Sequence, residues 1–108
     1  MQIEARMRNN TVVIEPKDRL TVETEPAFAH HFVRLLEAGK TQFALNLAHV
    51  PYIDSTGLGA IVRAYTSARR RGGDLKLIHV DGRNRHLFTI TKLLSVFETY
   101  QSEEELPG

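Results

Sequence analysis

The sequence predicts an α/β fold: a mixed sheet of about five strands with about four helices, in the order ββαβαβαβα. Three observations predict it. The chain opens with an alternating hairpin pattern. Apolar runs of strand length then alternate with stretches of helical periodicity. At 108 residues the chain has the size of one domain, 1–108. Strands alternating with helices imply parallel crossover units after the hairpin.

Taken in order, Ile3, Ala5 and Met7 alternate with Glu4, Arg6 and Arg8, the pattern of a half-exposed strand. Asn9-Asn10 is a turn signal, and Thr11 to Ile14 form the return strand, closed by Pro16. Residues 17 to 23 are polar and loop-like. Thr24 is a candidate N-cap with Pro26 in the first turn, and Phe28, Phe32, Leu35 and Leu36 make a helix stripe ending at Gly39. Residues 42 to 47 form an apolar run of buried-strand type. Leu58, Ile61, Val62, Tyr65 and Ala68 recur at helical spacing, and that helix runs to about Arg71 before Gly72-Gly73. Leu75, Leu77, Ile78 and Val80 read as a strand and Asp81-Gly82 as a turn. Leu87, Phe88 and Ile90 suggest a short helix to about Thr91, and Val96 and Phe97 an edge strand ending near Tyr100. Ser102 followed by Glu103, Glu104 and Glu105 resembles an N-cap with acids in the first turn, hence a short C-terminal helix.

The chain is organised around Tyr52-Ile53-Asp54-Ser55-Thr56-Gly57-Leu58-Gly59-Ala60. Asp54, Ser55 and Thr56 sit where a strand-to-helix turn needs a cap. Two hydroxyls are thereby presented at the electropositive start of a helix. A negative group on Ser55 would face free N–H groups and the helix dipole, so a phosphoserine is structurally tolerable there. Plain capping is the commoner role of such residues. The adjacent hydroxyls after Asp54 and before Gly57-Leu58-Gly59 favour phospho-acceptance, with Ser55 as the acceptor and Thr56 as the lesser candidate. Gly57 and Gly59 weaken a helix start. They suit either close packing on the sheet or close approach of a partner, and Arg63 on the polar face is a rim contact for that partner.

Composition narrows the classes. Hydrophobic residues make up 42% and charged residues 25%, an ordinary globular balance. Net charge is +1, which gives no drive towards nucleic acid or an anionic membrane. Cysteine is absent, so thiolate and disulfide chemistry are excluded. No apolar segment of signal-peptide or membrane-spanning length is visible, which points to the cytoplasm. His30, His31, His49, His79 and His86 lack metal-ligand spacing. Gly-x-Ser-x-Gly does not occur around Ser55, and a hydrolase would need a histidine brought near it. Arg69, Arg70 and Arg71 suit the C-terminal end of a helix dipole. No cofactor and no metal are expected.

Asp54-Ser55-Thr56-Gly57-Leu58-Gly59, after a strand and opening a helix, resembles the signature of STAS domains, and more narrowly of bacterial anti-sigma factor antagonists. The likeness extends roughly from Ile3 to Glu105 and implies a STAS-like (SpoIIAA-like) fold. It also implies a non-enzymatic switch. Ser55 would be phosphorylated by an anti-sigma factor that is itself a serine-protein kinase. The unphosphorylated form would bind that factor and release a sigma factor, and a serine phosphatase would reset the switch. Asp54, Ser55, Thr56, Gly57, Gly59, Arg63 and Thr21 would form the partner-binding surface. One departure is visible. Family members usually carry Gly-x-Leu/Ile-Asp at the end of the second strand, whereas this chain has Asp18-Arg19-Leu20-Thr21. Thr21 can hydrogen-bond but supplies no charge. The alternative role is a non-switching STAS scaffold, or an accessory subunit of a stress-signalling complex or membrane transporter.

Overall fold

The structure, a computed structural model, describes residues 1–107. Strands β1 (Ile3–Arg8) and β2 (Thr11–Pro16) pair antiparallel across the Asn9-Asn10 turn, from Ile3↔Pro16 to Arg8↔Thr11. Asn9 takes a φ of 56°, which asparagine tolerates better than most side chains. Strands β3 (Gln42–Asn46), β4 (Asp74–Ile78) and β5 (Thr99–Tyr100) each add in parallel, giving the spatial order β1-β2-β3-β4-β5. Helices α1 (Glu25–Glu37), α2 (Ser55–Arg70) and α3 (Gly82–Ile90) fill the three crossovers. Residues of α1, α2 and α3 pack on the same strand parity, so all three helices fall on one face, as right-handed crossovers stepping one way along the sheet would place them.

Strand alternation sorts the core accordingly. Val12, Ile14, Phe43, Leu45, Leu75 and Leu77 meet Phe28, Phe32 and Leu36 of α1, Ala60, Ile61, Ala64 and Ala68 of α2, and Phe88 of α3. The opposite parity, Val13, Ala44 and Ile78, packs on Leu106 and the half-buried Tyr100. The stripe of α2 is rotated from the expected one. Gly57, Ala60, Ile61, Ala64 and Ala68 are buried, while Leu58, Val62 and Tyr65 are half-buried flanks. A helix lying close on a sheet needs small residues along its line of contact, and the larger ones fill the margins.

Four expectations are corrected. The predicted fourth helix is a three-residue 3-10 turn, Glu103–Glu105. Glu103 is drawn to Arg6 and Asn46, and Leu106 must reach the sheet face, which leaves no length for a helix. Strand β5 is two residues long, because Phe97 turns into the core against Tyr65 and Phe88, at ring separations of 4.9 and 5.8 Å. β4 stops at Ile78, since His79 adopts a φ of 59°. Thr24 does not cap α1 with its side chain. Its Oγ1 donates to Arg19 O at 2.6 Å and accepts from Thr21 N at 2.9 Å, bracing the preceding loop. Helix α2 ends, as expected, at about Arg71, which follows its last residue Arg70 as the C-cap and reaches across to donate to Leu36 O near the end of α1, at 2.9 Å.

Two polar ties matter to the site. On the helix-free sheet face Arg6 donates to Glu15 at 2.9 Å and to Glu103, fastening the C-terminal turn to the hairpin. On the other side of the molecule the loop after β2 is locked to the loop before α2. Leu20 N donates to Tyr52 O at 2.9 Å, Asp54 N donates to Leu20 O at 3.1 Å, and Leu20 bridges Ile53 in parallel. Gly57 lies directly over this lock, and a Cβ there would stand 2.1 Å from Leu20 O. No helix among the described residues is long and apolar enough to cross a membrane.

Substituting Gly57→Ala therefore forces backbone apart and is expected to destabilise the protein by about 3 kcal/mol in urea unfolding. Gly59→Ala is the contrast. Its Cβ would meet only the movable Arg63 guanidinium, at 3.1 Å, so the alanine's helix preference is expected to leave stability equal or up to about 1 kcal/mol higher. Equal losses at the two positions would refute the packing role assigned to Gly57.

Candidate functional site

The lock between the two loops decides how the start of α2 is presented. Asp54 is its N-cap, in extended backbone at φ −93° and ψ −177°. One carboxylate oxygen accepts from Gly57 N at 2.8 Å, and the other accepts from Val22 N in the facing loop at 3.0 Å. Asp54 thus caps the helix and staples the loop with a single side chain. The Gly57 N–H, helped by those of Val22 and Thr56, holds the Asp54 carboxyl below its ordinary value against a partial loss of hydration. Asp54 is therefore a firm anion and a poor base.

Ser55 is the first residue of α2 and its side chain is exposed; Thr56 is half-buried. Within this first turn, the N–H groups of Asp54, Gly57 and Leu58 are taken by Leu20 O, Asp54 Oδ1 and Asp54 O. That of Thr56 also faces the Asp54 carboxylate, which leaves the N–H of Ser55 at the open end, where the helix dipole is positive. A group attached to Ser55 Oγ would project into solvent beside it.

The remaining predicted residues gather at the same corner in unequal ways. Thr21 is 7% exposed and its Oγ1 is buried without a hydrogen-bond partner. Its carbonyl accepts from Glu25 N at 2.8 Å, so it shapes the loop from beneath. Gly57 is also buried, whereas Gly59 is half-buried and Arg63 exposed. The Arg63 guanidinium leans back over Gly59 towards Glu25, 3.9 Å away at the start of α1. Asp54, Ser55 and Arg63 thus offer surface, and Thr21 and Gly57 offer support.

The sequence reading placed the helix that is α3 but gave it no part in the site. A groove of about 260 Å³ beside Ser55 has Tyr52 and Asp54 on one side and Arg83, His86 and Ile90 on the other. Tyr52 and Ile90 are 41% and 61% exposed and, with Ile53 and Leu87, make the groove largely apolar, with Asp54, Ser55, Arg83 and His86 as its polar groups. The available signal was the recurrence of Arg83, His86, Leu87 and Ile90 at i, i+3, i+4 and i+7. Asn84, only 6% exposed, holds α3 in place by donating from Nδ2 to Val50 O at 2.7 Å.

His86 shares the groove with Ser55, the condition a hydrolase would need. The rest of a triad is not assembled: Asp54 is turned to backbone N–H groups, and no hydrogen bond among the described residues joins His86 to Ser55 or Asp54. No group of three or more metal-ligating side chains occurs among the described residues.

Because the folded-state carboxyl of Asp54 titrates below its unfolded value, its stabilisation is complete above about pH 4 and is lost as pH falls through the folded value. Glu103, lowered chiefly by its hydrogen bond from Arg6, adds to the same acid window. Asp54→Asn is expected to keep the cap at pH 7 and to flatten, without abolishing, the fall in Tm below about pH 4. Asp54→Ala should lower Tm at pH 7 as well. Thermal scans between about pH 3 and 7 check both, and an unchanged acid limb in Asp54→Asn would count against the assignment.

Comparison with known proteins agrees with this architecture. The chain is 28% identical over 104 residues to the anti-sigma-B factor antagonist of Bacillus subtilis (strain 168), covering 96% of this chain and 94% of that protein. The crystal structure of a Thermotoga maritima protein, assigned in its description to the anti-sigma factor antagonists, superposes with a TM-score of 0.90 at 25% identity, over 95% of this chain and 89% of that one. The Bacillus cell fate determinant SpoIIAA in its phosphorylated form gives a TM-score of 0.76 at 20% identity, over 96% and 95% of the two chains, which is a likeness of fold. The family model described as STAS domain matches residues 2–106, nearly the whole sheet-and-helix arrangement, and the chain belongs to the STAS domain family.

Proposed function

We propose that this protein is an anti-sigma factor antagonist switched at Ser55. One observation carries the reading: the Ser55 hydroxyl is exposed at the first position of α2, on a helix start that the fold holds rigid. The name of the Bacillus subtilis relative and the phosphorylated form of SpoIIAA support it. In the unmodified state the surface of Asp54, Ser55, Gly59 and Arg63, with Thr56 at its edge, docks on the anti-sigma factor. Thr21 and Gly57 act there from below. The protein acts by binding and not by catalysis, in the cytoplasm, with neither cofactor nor metal.

Phosphorylation forms a bond from Ser55 Oγ to the γ-phosphorus of ATP as the bond from that phosphorus to the β,γ-bridging oxygen breaks, releasing ADP. The hydroxyl proton passes to a base of the kinase, because Asp54 is already committed to Gly57 and Val22. The modification adds about −1.5 to −2 of charge and takes formal net charge from +1 to about −1. That charge falls inside the docking surface. Burying it unpaired is costly, so the complex dissociates, and a serine phosphatase restores binding.

A second reading, a STAS scaffold that does not switch, is favoured by Thr21. A threonine with a buried, unpartnered hydroxyl stands where the family usually offers a carboxylate, so the corner lacks one charge that a kinase could recognise.

Incubation with the cognate kinase and ATP is expected to place phosphate on Ser55, read by mass spectrometry; phosphate found only elsewhere would defeat the site. Ser55→Asp is expected to lower affinity for the anti-sigma factor by at least about tenfold, and Arg63→Glu to weaken it at unchanged Tm. Assembly indifferent to Ser55→Asp would favour the scaffold.

A further inference from the structure

The charges around Ser55 do not balance. Both oxygens of Asp54 are engaged by backbone N–H groups of Gly57 and Val22, so that anion is satisfied locally. Across the groove Arg83 and His86 have no carboxylate partner among the described residues. The recorded neighbour of the Arg83 guanidinium is the Tyr52 ring, 6.0 Å away. Asp81 lines one neighbouring cavity with Arg85 and Glu105 and another with Arg83 and Asn84, but forms no ion pair with Arg83. Two cation-forming side chains therefore flank the hydroxyl, and neither is used by the binding surface described above.

The position of α3 is set by the fold. The bond from Asn84 Nδ2 to Val50 O ties its first turn to the loop before α2, which fixes the base of Arg83 relative to Ser55. Asn84 Oδ1 is buried with no hydrogen-bond partner, and Asn84 lines the same groove. The Arg83 guanidinium carries five N–H groups, enough to hold an anion through more than one contact.

We propose that the phosphate on Ser55 is held within this groove by Arg83 of α3, with an N–H of His86 as a second donor. The proposal rests on the phospho-switch above and deepens it. Arg83 becomes the positioning residue of the modified state. On phosphorylation an anion then arrives at the docking surface, and the exposed Arg83 beside that surface pairs with it.

The test installs phosphoserine at position 55 during synthesis of the full chain, by genetic code expansion, and follows its second ionisation by 31P NMR. In the protein, that ionisation is expected at lower pH than in a peptide of residues 50–60 carrying the same phosphoserine. Arg83→Gln is expected to raise it by about one unit, roughly tenfold in the ionisation constant. Arg83→Lys should retain part of the shift, and His86→Gln should lose less than Arg83→Gln. The α2 dipole acts equally in all variants, so it cannot produce these differences. Arg83 is exposed, and unchanged 1H–15N spectra of the unphosphorylated variants would establish that each is folded. Arg83→Gln titrating at the wild-type value would overturn the proposal. Because the phosphate is installed independently of any kinase, failure of kinase labelling at Ser55 would defeat the switch and leave this pairing measured on its own.

Discussion

The carboxylate of Asp54 is the interaction on which the functional corner depends. It belongs to α2 through Gly57 and to the loop after β2 through Val22, and its own N–H is bound by Leu20 O. Two segments more than thirty residues apart in sequence are thus pinned within one residue's reach. Gly57 makes this possible, because any side chain there would strike the Leu20 carbonyl. The same residues that stabilise the helix start also leave Ser55 facing outwards, so the fold and the presentation of the hydroxyl have one cause.

This arrangement lets a charge be added with little mechanical consequence. The modified atom lies outside the core, beyond a helix end whose dipole favours anions, and the buried layer beneath consists of Leu20, Ile53, Ala60 and Ile61. What changes is the electrostatic surface offered to a partner. The network of Arg6, Glu15 and Glu103 lies on the helix-free side of the sheet, so the tie that holds the C-terminal turn is independent of the corner around Ser55.

The same physical reasoning separates what was legible in the sequence from what was not. The strands and the helical stripes of α1 and α2 were legible because each carries its own period. Phe28, Phe32 and Leu36 announce a helix face, and Phe43 to Leu47 a buried strand, without reference to anything else in the chain. The cap at Asp54 and the exposure of Ser55 were legible for the same reason, since capping is decided within four residues. Element ends were less legible: β5 shrank to two residues because Phe97 had a better place in the core, and the C-terminal acids formed a turn because Glu103 was claimed by Arg6.

The sequence alone determined an α/β chain of crossover units with a capped helix presenting a serine, because those features rest on local periodicity and local hydrogen bonds. Tertiary structure alone decided that Thr21 and Gly57 lie beneath the site and not on it. It also decided that α3 supplies the opposite wall with Arg83 and His86. These facts follow from the order in which strands join the sheet and from the bond between Asn84 and Val50, contacts between residues too far apart in the chain for any spacing to record.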